Sequence, residues 1–408
     1  MAAMRLRHWP VIEAPYTVLQ WETMLGEDAR EAELAALAAL PAGGTTDVEE
    51  PTHRAGTLAE GITFAWERHS EGSSLALFVL RDDADAFLAP RRTPGVEAAV
   101  RWAGTIPGEV IRAMAIACVE SEEDGRALVD RLDISQRELV SCHIGGGARL
   151  WSDFRLHDDG FGRLVVAANG LTPRDLSRQV QRVQELGGYR AKALIGLPLA
   201  QAQWPRLNDA EGAISALGER VSDPAVTDDD LLDALSVISL DLMAISTATS
   251  FRMSATAAYA RLVEERLEEL DVQPIPGLAS LHEFVRRRFL PAIRTCAALT
   301  AREREVSLRA NQFAALLRTR IDTRIENQNG RLLRSMERSS TMQLRLQQLV
   351  EGLSVVALTY YAVGLVGYVL HGIEGVDADH VLAWLTVPLL LAVWAGLRLL
   401  KKRLVEKA

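Results

Sequence analysis

The residues of this chain that could do chemistry on an ion lie in a short segment near its C-terminal end. The segment 371–380, HGIEGVDADH, carries carboxylate and imidazole side chains, which attract cations. The candidates are His371, Glu374, Asp377, Asp379 and His380. Repeated around an oligomer they would concentrate cations at a pore mouth, whereas on a single exposed loop they would only be solvated. We therefore predict an outer-mouth site and assign no metal to it.

The apolar stretch before this segment offers a second candidate surface. Small and polar residues recur there at spacings of four and three, which puts them on one face of a helix. They are Leu353, Ala357, Tyr360, Gly364, Gly367 and His371. Such a face permits close packing between helices, or it lines a path when identical helices form a ring. The sequence leaves both alternatives open.

Catalytic motifs are absent from the sequence. There is no nucleophile elbow, no phosphate-binding GxxxxGK[ST], no HExxH and no CxxC pair. Gly145-Gly146-Gly147 predicts a hairpin turn, and the cluster Trp66-Glu67-Arg68-His69 late in a strand suggests no particular reaction. Three widely spaced cysteines predict buried free thiols in a reducing compartment. We predict no enzyme, no cofactor and, with a net charge of −9, no nucleic-acid partner.

The C-terminal part predicts a transmembrane hairpin. Two apolar runs lie within 352–400, and each has the roughly 20 residues that cross a hydrocarbon core of about 30 Å as helix. Lys and Arg flank the hairpin on both sides and are absent from the loop between its helices, so both termini are expected in the cytoplasm. The N-terminus has no apolar signal core, so we expect no export of the body by a signal peptide.

Upstream of the hairpin, the sequence shows first a mixed strand-and-helix pattern and then a purely helical one. Residues 1–171 alternate strand and helix patterns and predict a mixed or antiparallel sheet with helices packed on it. Within them, 41–57 is rich in Gly, Pro and Thr and predicts a loop, and ARLWSDFRL predicts a strand with Leu150, Ser152, Phe154 and Leu156 on one face. Thr172-Pro173 starts a helix, and helices are then predicted over 173–203, 205–221 and 228–271.

A final helix is predicted from about Leu281 into the membrane, bent near Pro291. From Ala301 to Leu370 it would be about 105 Å long, with apolar residues recurring mostly every four positions. That stripe needs a partner, either the acidic helix 228–271 or further copies of the chain. The segment 281–350 is rich in arginine, so it would complement the acidic helix in charge; alternatively, the acidic residues sense cations.

This order of parts resembles that of CorA-type divalent-cation channels. Those proteins combine a cytoplasmic α/β domain, a long stalk helix running into the first span, a short outer loop and a second span followed by a basic tail, and they assemble as pentamers. The string Gly364-Leu365-Val366-Gly367-Tyr368-Val369 aligns with their signature, which ends in Gly-Met-Asn. Both glycines are present, but Val369 replaces the asparagine whose carbonyl meets hydrated Mg²⁺. The resemblance implies a path lined by Ala357, Tyr360, Gly364, Gly367 and Val369.

A second resemblance covers nearly the whole chain. Phe64-Ala65-Trp66-Glu67-Arg68-His69-Ser70-Glu71, Gly170-Leu171-Thr172-Pro173 with RQVQRVQELGGYRAKALIGLPLA, and Tyr360 to Tyr368 are similar to a bacterial family of membrane-anchored proteins known as a domain of unknown function. That family implies no activity.

The sequence thus predicts a protein of CorA-like architecture in the bacterial cytoplasmic membrane. Its parts are a cytoplasmic α/β domain (1–171), a helical stalk domain (172–351), a transmembrane hairpin (352–400) and a basic cytoplasmic tail (401–408). The expected partners are the lipid bilayer, further copies of the chain in a pentamer, and cations. The function expected first is a cation channel or transporter lacking the Gly-Met-Asn filter. The alternative is a non-conducting membrane-anchored scaffold or sensor.

Overall fold

The computed structural model describes residues 10–81, 83–223, 225–370 and 378–405. They fall into two units, Met1–Phe313 and Ala314–Ala408. The strands are β1 Tyr16–Met24, β2 Thr45–Glu50, β3 His53–Ala59, β4 Ile62–Arg68, β5 Gly72–Val79, β6 Glu109–Val119, β7 Val140–Ile144, β8 Ala148–Ser152, β9 Gly162–Ala167 and β10 Gln273–Pro274. The helices are α1 Arg30–Ala38, α2 Ala84–Leu88, α3 Val96–Ala103, α4 Glu122–Asp130, α5 Pro173–Leu194, α6 Gly196–Arg220, α7 Asp228–Glu269, α8 Leu281–Phe284, α9 Leu290–Leu370 and α10 Ala378–Val405.

One mixed sheet organises the first unit. Its strand order is β10-β7-β8-β9-β6-β1-β5-β4-β3-β2. The pair β6 and β9 is parallel, and the other neighbouring pairs are antiparallel. The N-terminal strand β1 lies between β5 and β6, so residues far apart in sequence become neighbours at the centre of the sheet. The mixed sheet predicted for this region is confirmed.

Helices cover both faces of this sheet because its central strands are apolar on both sides. On one face Val18, Ile116 and Leu164 pack with Val180 and Val183 of α5 and with residues of α7. On the other face Leu19, Leu77 and Ala115 pack with Phe87 of α2 and Val100 of α3. We call the first side the α5 face. Helices α5 and α7, which follow residue 172, therefore share a core with the strands before it.

Three local predictions need correction. The segment predicted as a loop over 41–57 contains β2 and the start of β3; β2 is an edge strand without a buried side chain, so no apolar alternation marks it. The strand predicted through Phe154 ends at Ser152, because Phe154 takes a left-handed backbone with φ 50°. Pro205 lies inside α6, and the break between α5 and α6 falls at Ile195.

Other local predictions are confirmed. The Thr172 hydroxyl accepts a hydrogen bond from the Asp175 backbone N–H at 3.2 Å, and Pro173 opens α5. Gly145-Gly146-Gly147 forms the turn between β7 and β8, with all three glycines at positive φ. The three cysteines are buried free thiols.

The helical run into the second unit carries one irregularity. A π-helical turn, Val285–Phe289, separates α8 from α9, and it directly precedes the predicted bend at Pro291. Proline has no N–H to donate to the carbonyl four residues earlier, so the preceding turn widens to bonds over five residues. Beyond it, α9 is one continuous helix of 81 residues.

Two arginines near the start of α9 share a carboxylate partner on α6. Arg302 and Arg309 of α9 both pair with Glu211 of α6, the latter at 3.0 Å, rather than with the acidic residues of α7. These groups are partly exposed, so each pair contributes at most about 1 kcal/mol.

Among the described residues, three helices are long and apolar enough to cross a membrane, namely α7, the helical run ending at Leu370, and α10. The first of these, α7, packs along α5 and α6 through one buried stripe, which includes Leu231, Leu235, Leu242 and Val263. The other two correspond to the predicted hairpin, whose second helix continues to Val405.

Two glycines, one on α4 and a control on α6, test the packing of α4 on the sheet. A Cβ added at Gly125 would lie 2.7 Å from the buried Trp151 ring, whereas one added at Gly212 of α6 would meet nothing within 4 Å. Gly125→Ala should therefore destabilise the protein by about 1–3 kcal/mol through overpacking. Gly212→Ala should stabilise it by up to about 1 kcal/mol, because alanine is the better helix former. Thermal unfolding of the detergent-purified chain checks both, and equal shifts in the two variants would contradict this packing.

Candidate functional site

The residues predicted to line a path along the first span separate into two groups. Ala357, Tyr360, Gly364 and Val369 are exposed, with Tyr360 at 77 %. Gly367 instead packs against the second span, where an added Cβ would lie 3.3 Å from Leu382. The small-residue face is thus divided between helix packing and an exposed surface.

The positions of most of the predicted outer-mouth side chains are not described by the structure. His371, Glu374 and Asp377 lie outside the described residues, and Asp379 lies at the start of α10 without a described side chain. His380 follows it on the same helix and is exposed. In the described part of the chain, no three His, Cys, Asp or Glu side chains come together as a metal site.

The structure instead brings polar residues together in a row across the α5 face of the sheet. Strand register sets His53 opposite Glu67, Glu67 opposite Ser74, Ser74 opposite Glu22, and Glu22 opposite Arg112. Side chains at paired positions lie on the same face, so these five residues from β3, β4, β5, β1 and β6 form one line. The apolar alternation of the central strands gives way to polar groups here.

Glu22 is the best-buried charge in this row. Its side chain is 5 % exposed and pairs with Lys192 of α5, which is 2 % exposed, at 3.1 Å. The Gln20 amide nitrogen donates to Glu22 Oε1 and to Ser74 Oγ, each at 3.1 Å. A buried ion pair needs such additional hydrogen bonds, because desolvation costs several kcal/mol per ion.

Arg112 completes the network from the neighbouring strand. Its Nη1 donates to Gln20 Oε1 at 2.9 Å. Burial lowers the pKa of Arg112 to about 10, an effect that Glu22 opposes and Arg190 reinforces. Because this pKa is still well above neutrality, the guanidinium stays charged, and two buried cations, Arg112 and Lys192, flank the Glu22 carboxylate.

Two adjacent glycines let α5 approach this network closely. A Cβ added at Gly188 would lie 3.0 Å from Glu22 Oε1, and one at Gly187 would lie 2.4 Å from the Arg112 guanidinium. A larger residue at either position would have to displace the Arg112 or Glu22 side chain from the network. The Gly-Gly pair in the middle of a helix is therefore explained by the charged side chains beneath it.

Beside the network lies a cavity of about 60 Å³ between the sheet and α5. The sheet contributes polar side chains of the row, with His69 and the small residues Ala65 and Ala76; α5 contributes Gln181, Gln184 and Glu185. A volume of this size holds a few waters or a ligand of few atoms.

Gln184 is the anomaly of this cavity. It is 1 % exposed, and within the described residues neither polar atom of its amide has a hydrogen-bond partner. Buried amides are normally paired, because an unpaired polar group costs about 1–3 kcal/mol. A buried amide without a protein partner at a cavity wall is a candidate contact for a polar molecule in that cavity. The neighbouring Glu185 is held by Arg266 at 2.7 Å.

The cavity is lined by residues of Phe64–Glu71 and of α5, the helix that contains Gly187-Gly188. Both stretches carried the sequence resemblance to a family of unknown function. A profile of the family described as protein of unknown function (DUF3422) matches residues 1–404. The chain belongs to this family. No curated protein and no solved structure matches the chain. For this DUF3422 protein the resemblance to CorA-type channels therefore stays a prediction.

Sequence reasoning missed this site, although two signals were present. Gln20 and Glu22 alternate on the face of β1 that also carries the apolar residues Tyr16 and Val18, and Gly187-Gly188 interrupts a helix. Glu67 and His69 belong to the polar cluster at the end of a strand for which the sequence suggests no reaction.

The Glu22–Lys192 pair predicts a specific pattern of stabilities. Lys192→Met leaves the Glu22 carboxylate buried without its ammonium partner and should cost about 3–5 kcal/mol. Adding Glu22→Gln to Lys192→Met removes the orphaned carboxylate but leaves the Arg112 guanidinium without its neighbouring anion, so it should recover part of that loss. Thermal unfolding in detergent of the two variants and the wild type checks this. A double variant less stable than Lys192→Met alone would contradict the assignment.

Proposed function

We propose that this DUF3422 protein is a membrane-anchored, homo-oligomeric sensor whose polar cavity binds a small solute that donates hydrogen bonds. The observation that carries the proposal is Gln184, a buried amide with no partner among the described residues, on the wall of a cavity lined by polar groups. The carboxylates and the amide and imidazole acceptors around it suit a ligand with N–H or O–H groups, such as a small primary amine.

Anchoring in a membrane is supported by the two helices of the C-terminal unit. Windows of mean hydropathy 1.9 and 1.8 occur in the helical run that ends at Leu370 and in the helix over 380–399. Arginines precede the first of these windows, Lys and Arg close the second, and none lies in the segment between them. We propose the bacterial cytoplasmic membrane, with both termini in the cytoplasm.

Assembly with further copies is supported by α9. Before the first span, large apolar residues at heptad spacing are exposed; they are Ile325, Leu332, Met342, Leu346 and Leu349. Positions spaced by alternating three and four residues form the seam of a coiled coil. Such a seam is stable only when another helix covers it, and identical helices supply one.

A cation channel or transporter is the second candidate. The exposed line of Ala357, Tyr360 and Gly364 favours it, because in a ring of first spans, as in a CorA-like pentamer, these residues would face a common axis. The exposed aromatic residues and Val369 weigh against it, since in such a ring they would place large, largely apolar side chains where a hydrated ion needs polar contacts. We therefore rank the sensor first.

Gln184→Leu separates a ligand site from a packing defect. Removing the unpaired amide should stabilise the free protein by about 1 kcal/mol. At saturating ligand the wild type should gain up to about 3 kcal/mol by mass action, and the variant should gain much less. Thermal unfolding in detergent with millimolar ammonium, methylammonium, ethanolamine and glycine provides the measurement, with Gln203→Leu on α6, outside the cavity, as the control. A wild type unresponsive to every compound would contradict the proposed ligand class.

The two candidate functions predict different ion fluxes. Proteoliposomes containing the verified oligomer should show no more K⁺, Na⁺ or Mg²⁺ flux than protein-free vesicles, since an apolar constriction excludes hydrated ions. Gly364→Leu, which fills the exposed line, should change nothing. Flux through the wild type that this substitution blocks would overturn the sensor as a non-conducting protein and support the channel.

A further inference from the structure

A second cavity, of about 540 Å³, opens at the C-terminal end of α5. Five arginines line it: Arg137, Arg155, Arg190, Arg287 and Arg288. Three carboxylates line it too, and its volume falls within the range of small-molecule sites. The question is whether these acidic groups neutralise the arginines.

Each of the three carboxylates has a partner of its own. Glu138 accepts two hydrogen bonds from Arg155, at 3.0 and 2.8 Å. Asp153 lies 3.2 Å from His157, and Glu283 caps the start of α8 by accepting from the Ser280 N–H at 3.2 Å. In the described part of the chain, Arg137, Arg190, Arg287 and Arg288 form no ion pair. Four guanidinium groups at this cavity thus stand outside any ion pair, and its lining carries more arginines than carboxylates.

Arg190 is held in place by aromatic rings instead of a carboxylate. Its guanidinium lies 5.3 Å from the Phe154 centroid and 5.0 Å from that of Phe284, and these two rings stack at 4.2 Å. Aromatic faces orient a guanidinium without neutralising it, so its N–H groups stay available to an anion. Burial lowers the pKa of Arg190 to about 10, which leaves it charged at neutral pH.

The π-helical turn places two more arginines, Arg287 and Arg288, at the rim of the cavity. Its residues Val285 and Phe289 are buried, while Arg286, Arg287 and Arg288 are exposed. Arg287 and Arg288 border the cavity, and Arg286 does not. π-Helical turns of this kind are frequent at functional sites.

We propose that this arginine-lined cavity is a binding site for a phosphate-bearing molecule. Guanidinium groups match the oxygens of a phosphate with paired, charge-assisted hydrogen bonds, and a dianion needs several of them. The shared chemistry is the phosphate group, which either a soluble metabolite or a lipid headgroup supplies. The site is separate from the cavity at Gln184, so neither proposal depends on the other.

Calorimetric titration of the full chain in nanodiscs of neutral lipid tests the site, with pyrophosphate as the probe. The wild type should bind it saturably, and Arg287→Gln with Arg288→Gln should weaken binding about tenfold or more, through the lost charge-assisted bonds. Arg286→Gln is the matched control from the same turn and should change affinity by less than about twofold. Unchanged unfolding temperatures would show that all variants are folded.

Two results would overturn the proposal: no saturable binding of pyrophosphate by the wild type, or equal weakening by Arg286→Gln. Repeating the titration in nanodiscs with anionic phospholipid, at the same ionic strength, identifies the source of the phosphate. If anionic lipid weakens pyrophosphate binding by the wild type, and the double variant does not show this effect, the site is supported with a lipid headgroup as its occupant. Unchanged affinity supports it with a soluble phosphate compound.

Discussion

The ion pair between Glu22 and Lys192 joins the central strand of the sheet to the helix that covers it, and both groups are almost fully removed from water. Burying two charges is favourable only where close geometry and added hydrogen bonds offset their desolvation. Gln20 supplies bonds to Glu22 and links it to Arg112, while Gly187 and Gly188 allow the helix to come close enough. The polar row, the position of α5 and the shape of the cavity all depend on this contact.

Much of the architecture could be predicted from local patterns. The start of α5 at Thr172, the glycine turn before β8, the long helix α9 and two C-terminal helices apolar enough to cross a membrane each have a local signal in the sequence, and each is found. The site could not be predicted in this way. Its row requires β1 to lie between β5 and β6, so that Gln20 meets Arg112 across 92 positions of sequence. No local pattern reports such a pairing, and the edge strand β2 was missed because it buries nothing.

Helix α5 is common to both proposed sites. Gln184 lines the small cavity and Arg190 the large one, less than two turns apart on the same helix. Arg190 also lowers the pKa of Arg112, so the charges around the two cavities act on each other. A sensor needs a rigid element that several groups can bias. The C-terminal part of α5 is fixed by the ion pair of Lys192 with the sheet and by the stacking of Arg190 on two aromatic rings.

The central claim is that the cavity at Gln184 is a binding site and not a packing defect filled by water. An experimental density map of the purified full chain, at a resolution that shows ordered water, tests it most directly. The account predicts density larger than water in the cavity, with hydrogen bonds to the Gln184 amide, after soaking with the amine that stabilises the protein most. A cavity holding only waters, or a Gln184 amide fully paired within the protein, would contradict it.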